Sequence, residues 1–365
     1  SMSDAAPALK EIFNHQRLVH IADAMLEVYP AFDHAGFLQR ASHELAGLSV
    51  MQRLARVSDS LHQVLPKQYE HSLELLYALA PRLDSRFVCM FLPHFVASHG
   101  THDFDRSMAA LKFFTGFGSS EFAVRPFLVS QQAATLEHLY DWSRDPDEHV
   151  RRLASEGSRP RLPWSFRLEQ LQAEPQLAAP ILEQLRNDPS LYVRKSVANH
   201  LNDITKDHPQ WVLQRLQGWP LDQPHTAWIV RHGLRSLIKQ GERQALALIG
   251  AGARAEIRVE RFTVTPAALH LGERLELAVE LVSTHPQPQR LVVDYAIDYI
   301  KASGAASAKV FKLKTFTLPG QARQTLARQQ QIREFTTRRH YPGRHRVHLL
   351  VNGERLASAH FDLLP

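Results

Sequence analysis

Over roughly the first 250 residues the apolar positions recur with the 3.6-residue period of a helix. Leu18, Ile21, Ala22, Met25 and Leu26 lie at i, i+3, i+4, i+7 and i+8 and make one apolar face, which Pro30 ends. Residues 37–64 repeat the pattern, with Gly47 and Ser58 as breaks, and 69–79 form a further striped segment closed by Pro81. Residues 87–96 are strongly apolar but contain Pro93, which predicts a kinked or broken buried helix. Residues 108–114 and 131–143 are predicted helices as well. After the small-residue stretch G-A-G-A-R-A (250–255) the period changes to two. Residues 256–264, 275–282, 291–300, 310–318, 324–335, 344–351 and 355–363 alternate, and Asn352-Gly353 is a type I′ hairpin signal. Seven such runs predict a β-sandwich.

One phrase occurs twice in the helical part. D-P-D-E-H-V-R-R-L-A-S-E-G begins at Asp145, and D-P-S-L-Y-V-R-K-S-V-A-N-H begins 43 residues later at Asp188. That offset suits a two- or three-helix solenoid repeat. A looser copy, W-I-V-R-H-G-L-R-S-L, spans 228–237, and an earlier Val-Arg pair stands at Val124-Arg125. Four Val-Arg pairs on successive helices mark a HEAT-like array, in which each repeat buries one face and lends another to a concave surface. The prediction is a mainly α chain: a HEAT-like α-solenoid over 3–253, followed over 254–365 by an all-β immunoglobulin-like sandwich. H-Y-P-G-R-H-R-V-H-L (340–349) looks like the entry to a late strand of such a domain, without the usual cysteine pair.

Within the repeats, Asp145 and Asp188 are the expected N-caps, with Pro146 and Pro189 at the first helical position. Ser119 or Ser120 is a further N-cap, which would put Glu121 in a first turn, where the helix dipole favours a carboxylate. Glu156 is placed against that preference, in a last turn before Gly157, at a cost of roughly 0.3–1 kcal/mol. A residue set against its local preference is a candidate for function. Asn199 occupies the equivalent place in the second copy, and Lys195, Asn199 and Asp203 share a face. R-P-R-L-P-W (159–164), a basic, proline-broken loop ending in Trp164, separates the copies.

Composition adds charge. The net charge is +6, and the first 254 residues balance at 27 basic against 27 acidic, so the excess lies wholly beyond them. Residues 309–346 hold ten basic residues and only Glu334 as an acid, the footprint of a polyanion binder. The single cysteine, Cys89, excludes a disulfide framework and a cysteine-based zinc site. His94, His99 and His102, with Asp103 and Asp105, match no standard ligand spacing. No apolar run is long enough to span a membrane, and no signal peptide is visible. The opening Ser1-Met2 reads as a tag remnant. A cytoplasmic monomer without metal or cofactor is expected.

The repeat phrases, the Glu121 segment, R-P-R-L-P-W and V-R-K-S-V-A-N-H-L-N-D-I together resemble the AlkC branch of the HEAT-like DNA alkylation repair glycosylases. The resemblance covers about residues 10–250, and the immunoglobulin-like domain resembles that of longer AlkC members. It implies a bacterial, nucleoid-associated, monofunctional glycosylase excising cationic alkylated bases, chiefly 3-methyladenine and 3-methylcytosine, from duplex DNA. It also implies recognition without flipping the base into a pocket. Such chemistry needs negative charge beside a sugar that acquires oxocarbenium character, and a positioned water. Glu121, Glu156 and Asp203, in that order, are the catalytic candidates, and Trp164 the lesion-stacking one. The tryptophan–aspartate pairing of the related AlkD proteins is not visible, since Glu121-Phe122 stand there. Expected DNA contacts are Arg152, Arg159, Arg161, Lys195, Lys312, Lys314, Arg338, Arg339 and Arg344. The competing reading is a non-enzymatic HEAT and immunoglobulin-like module that binds DNA or protein by shape.

Overall fold

The structure, a computed structural model, describes residues 9–250, 254–300, 306–333 and 341–365. Among these, sixteen α-helices come first: α1 (His15–Val28), α2 (His34–Ser42), α3 (Val50–Val64), α4 (Tyr69–Leu79), α5 (Phe91–His99), α6 (Phe104–Phe114), α7 (Arg125–Ser130), α8 (Gln132–Trp142), α9 (Glu148–Glu156), α10 (Glu169–Ala173), α11 (Ala179–Gln184), α12 (Leu191–Thr205), α13 (Pro209–Gln217), α14 (Pro224–Gly233), α15 (Arg235–Lys239) and α16 (Arg243–Leu248). An all-β domain follows, as the period change predicts. The chain divides into two compact units, Ser1–Asp207 and His208–Pro365.

In the first unit α9 packs along α12 through the faces of the repeated phrase. Val150, Leu153 and Ala154 of α9 and Val193, Val197, Leu201 and Ile204 of α12 are buried. In both copies of the repeated phrase the arginine of the Val-Arg pair has a structural role that the pattern alone does not reveal. Arg151 donates to the carbonyls of Asp145 and Pro146 at 3.0 Å, and Arg194 donates to those of Asp188 and Pro189 at 3.0 and 2.9 Å. Each ties down the carbonyls of the chain entering its own helix. Arg151 also binds both carboxylate oxygens of Asp188, at 2.8 and 3.2 Å, and so joins one repeat to the next.

The caps fall two residues later than expected. Asp147 caps α9 and Ser190 caps α12. Asp145 and Asp188 instead accept the backbone N–H of Asp147 and Ser190, at 2.8 and 2.9 Å. Each makes the turn that leads into the cap. Glu121 likewise lies before a helix rather than in its first turn, because α7 begins at Arg125 with Pro126 in its first turn. Ser119 Oγ accepts the Glu121 N–H at 3.1 Å, so the serine orders a turn. Pro93 falls in the first turn of α5, after a 3-10 turn at Val88–Met90, where its missing donor breaks no intrahelical bond.

The second unit holds α13–α16 and the strands β1 (Ile257–Thr265), β2 (Ala268–Leu269), β3 (Arg274–Ser283), β4 (Gln289–Ile300), β5 (Ala306–Leu318), β6 (Arg323–Gln331), β7 (Gly343–Val351) and β8 (Glu354–Leu363). They form a three-stranded sheet, β1-β3-β6, and a five-stranded sheet, β2-β8-β7-β4-β5. Their alternating apolar positions meet in one core that includes Leu277, Val279, Tyr295, Ile297, Val347 and Phe361. Asn352 (φ 49°) and Gly353 (φ 78°) both take positive φ, as the hairpin signal requires. Asn352 Oδ1 also accepts the Val292 N–H at 2.8 Å, fixing the turn against β4. The strand β2 is only two residues long, too short to show a period in the sequence.

Candidate active site

The three predicted carboxylates lie on one ladder of ion pairs in the first unit. Arg152 on α9 binds Glu121 at 3.3 Å and Glu156 at 2.9 Å. Arg159, just beyond α9, binds Glu156 at 3.3 Å and Asp203 on α12 at 2.9 Å. The order is therefore Glu121, Arg152, Glu156, Arg159, Asp203. Glu156 also accepts the Ser196 hydroxyl at 2.9 Å. The side chain of Glu156 is 7 % exposed and that of Asp203 5 %, whereas Glu121 keeps 15 %, so the ladder reaches solvent at its Glu121 end.

The arginines expected to contact phosphate are engaged by carboxylates of the chain itself. Arg159 is buried, and its guanidinium is turned onto Glu156 and Asp203. Arg152 is held by both its carboxylates and lies over the Tyr192 ring, 4.9 Å from the centroid. Despite burial, these carboxylates hold the pKa of both guanidiniums above the usual arginine value. Burial pushes the Asp203 carboxyl above its ordinary range, and Arg159 opposes that shift. Arg161 makes a two-point contact with Asp207 at 3.0 and 2.8 Å. Lys195 is exposed on α12.

Arg125, which the sequence marked only as part of a Val-Arg pair, is the largest fully buried side chain among the described residues, at 0 % exposed. It donates to the carbonyls of Gly157 (3.1 Å), Arg159 (2.7 Å) and Phe166 (2.5 Å) and sits 5.5 Å from the Phe166 ring centroid. Burial, then the nearby Arg159 charge, pushes it down to about 10, so it stays cationic at neutral pH. With Arg152 and Arg159 it sets three positive charges against the three carboxylates. Its bonds also bracket the loop bearing Trp164. That tryptophan has φ 66°, a left-handed conformation that costs a non-glycine residue roughly 1–2 kcal/mol, and its side chain is 65 % exposed. Much of its ring is therefore accessible to a ligand. Gly118 sets the turn before Glu121: a Cβ there would lie 2.5 Å from the Arg86 carbonyl oxygen.

His200 is tied to the ladder through Ser155, the neighbour of Glu156. It is wholly buried, and its Nδ1 lies 3.0 Å from the Ser155 carbonyl oxygen, so that nitrogen carries the proton. Burial pushes the imidazole down from 6.5 to about 3. Above pH 6.5 both folded and unfolded chains hold it neutral. Below that, the unfolded chain takes up a proton the folded one refuses. Stability then falls toward pH 3 at about 1.4 kcal/mol per pH unit. A His200→Gln chain should show a shallower acid limb in urea unfolding between those values. Superimposable pH profiles would refute this.

The remaining predicted residues are in the second unit. Lys312 and Lys314 on β5 are exposed, with Lys312 opposite Asp294 and Lys314 beside the Phe316 ring. Burial pushes the Asp294 carboxyl up to about 7, and Lys312 pulls it back. Arg344 is 3.5 Å from Asp362. Arg338 and Arg339 lie outside the described residues. The histidines of the 94–105 segment go separate ways: His99 stacks on His62, and His102 meets the edge of Tyr69. Among the described residues no group of side chains suited to a metal occurs, and no helix is long and apolar enough to cross a membrane.

Residues 95–237 match the family described as DNA alkylation repair enzyme, and 258–365 match the C-terminal immunoglobulin-like domain of the uncharacterised protein YhaZ. Pseudomonas fluorescens alkylpurine DNA glycosylase AlkC, solved bound to DNA containing an abasic site analog, is 64 % identical. The match covers 98 % of this chain and 99 % of that one, with a TM-score of 0.84. The uncharacterized protein YhaZ of Bacillus subtilis (strain 168) is 40 % identical over 356 residues, 97 % of this chain and 99 % of that protein.

Proposed function

Because the chain belongs to the DNA alkylation repair enzyme family, as an AlkC-type glycosylase with an immunoglobulin-like domain, we propose that it excises cationic N3-alkylated bases from duplex DNA. The substrates are 3-methyladenine and 3-methylcytosine, and the base is not flipped into a pocket. The observation that carries this is the carboxylate ladder, open at Glu121. An N3-methylated base is positively charged, so its glycosidic bond is already weak. When that bond breaks, its electron pair goes to the base, which leaves neutral, and the sugar becomes an oxocarbenium ion. A water oxygen adds to the anomeric carbon and its proton passes to solvent or a carboxylate. No protonation of the leaving group is needed, and no lysine adduct forms.

Fixed negative charge aimed at the sugar favours this transition state over the ground state. Arg152 and Arg159 hold Glu121, Glu156 and Asp203 in fixed positions, so little reorganisation is left for the moment of reaction. Trp164 offers an exposed ring to the lesion, where cation–π attraction contributes roughly 0.5–2 kcal/mol. Release of free 3-methyladenine and 3-methylcytosine from alkylated duplex DNA tests the proposal. A pure chain that releases neither base, on duplex it demonstrably binds, would sink it.

DNA contact is assigned to Lys195 in the first unit, and to Lys312, Lys314 and Arg344, with Arg338 and Arg339, in the basic domain of residues 254–365. For each phosphate that a variant no longer neutralises, the slope of log K against log salt should fall by about 0.9. Lys312→Gln/Lys314→Gln should therefore weaken duplex binding similarly on every sequence and flatten the salt dependence by nearly two. An unchanged slope, measured by fluorescence anisotropy, would remove these lysines from the DNA-contacting set.

A further inference from the structure

Beside the open end of the ladder lies a cavity of about 530 Å³, within the roughly 300–1,000 Å³ usual for small-molecule sites. Its walls come from α3, α5, the turn before α7 and the Trp164 loop. Met90, Phe122, Trp164 and Phe166 give it aromatic and apolar surface, and Ser119 and His94 are among its few polar groups. Ser119 joins it to the ladder, since its hydroxyl also accepts from Arg152 Nη1 at 3.3 Å. His94 is half-buried, and no hydrogen bond is found for its ring among the described residues. Burial pushes that imidazole below its ordinary value, so at neutral pH it is uncharged and offers one donor and one acceptor.

The two neighbouring environments have opposite preferences. The ladder balances its charges internally but ends on the Glu121 carboxylate, which favours a cation at that end. The cavity, whose lining among the described residues holds no Lys, Arg, Asp or Glu, favours a neutral flat heterocycle that can stack on an aromatic ring and exchange hydrogen bonds with an imidazole. Cleavage converts one kind of ligand into the other, because the bonding pair that leaves the sugar neutralises the base. We propose that the cavity is a product subsite, which takes the released neutral alkylated base after the glycosidic bond has broken. This rests on the glycosylase reading of the ladder. It gives the base somewhere to go other than back toward the oxocarbenium ion.

The experiment uses the full chain and free 3-methyladenine, followed by saturation-transfer NMR. A rigid base of about eleven heavy atoms should bind with a dissociation constant of roughly 0.1–1 mM. Ala97→Phe, which fills the cavity from α5, should weaken that binding at least tenfold, and His94→Ala should weaken it severalfold. The second variant serves if the first fails to fold. In the unaltered enzyme, added base at about ten times that constant should slow multiple-turnover excision and leave the single-turnover rate unchanged. Absence of binding at about 10 mM, or binding that neither variant alters, would overturn the subsite. So would slowing of the single-turnover step, because the cavity would then receive the base before cleavage. If the base binds as expected but the unaltered chain releases none from alkylated DNA, the glycosylase reading fails and the cavity remains a base-binding site.

Discussion

A Glu121→Gln enzyme should release 3-methyladenine from methylated duplex about 10²–10³-fold more slowly than the unaltered chain in a single turnover, the range seen when one charge-stabilising group is removed. Glu121 is the most exposed carboxylate of the ladder, and in the proposed reaction the one whose charge a docked sugar meets first. The substitution keeps shape and hydrogen-bonding capacity. It removes only the charge that distinguishes an oxocarbenium ion from a neutral sugar. Stability should change little, because Arg152 retains Glu156 at 2.9 Å. The loss should appear in the chemical step and not in DNA affinity. A rate within about threefold of the unaltered enzyme would move the sugar-facing role to Glu156. Glu156→Gln is a less clean test, since it leaves Arg152 and Arg159 facing one another with two carboxylates instead of three.

An Arg125→Met chain should lose about 3–5 kcal/mol of stability, the cost typical of removing one member of a buried charge network. Methionine fills part of the volume but leaves the carbonyls of Gly157, Arg159 and Phe166 without their donor. It also leaves the carboxylates one positive charge short. The Trp164 loop should relax, because the bonds that bracket its left-handed residue are gone. Chemical denaturation gives the stability. The separate effect on the loop should be visible as reduced activity under conditions where the variant is still folded. Arg125→Lys should rescue only part, since one ammonium cannot reach three carbonyls with the planar fork of a guanidinium. A cost below about 1 kcal/mol in Arg125→Met would show that water replaces the guanidinium there.

Some of this architecture is local chemistry and is legible in the chain. The change from a 3.6-residue to a two-residue period separates helices from strands, and Asn352-Gly353 marks its own turn. The repeated phrase of 43-residue offset places α9 and α12 side by side, because equal apolar spacing demands equal burial. The anomaly of Glu156, an acid at a helix C-terminus, is visible as a local cost. Its full compensation is not. Arg152 and Arg159 are four and three residues away, but the Ser196 hydroxyl, and the Asp203 that holds Arg159, are brought there only by the fold.

What tertiary structure alone decided is which arginine does what. In the sequence, Arg151 is a repeat position, and Arg152, Arg159 and Arg161 are like charges around one loop with nothing to tell them apart. In the fold, Arg151 joins two repeats, Arg152 and Arg159 hold carboxylates, and Arg161 holds Asp207. Arg125 and His200 occupy ordinary repeat positions, yet in the fold one is a fully buried guanidinium that keeps its charge despite desolvation, and burial makes the other a neutral donor. The physical reason is the range of the forces involved. Apolar periodicity and capping act within a turn or a strand and are written in neighbouring residues. Desolvation and ion pairing depend on groups far apart in the chain. Arg152 and Glu121 are 31 positions apart, and Ser196 and Glu156 are 40 apart, so these bonds exist only once the repeats have stacked.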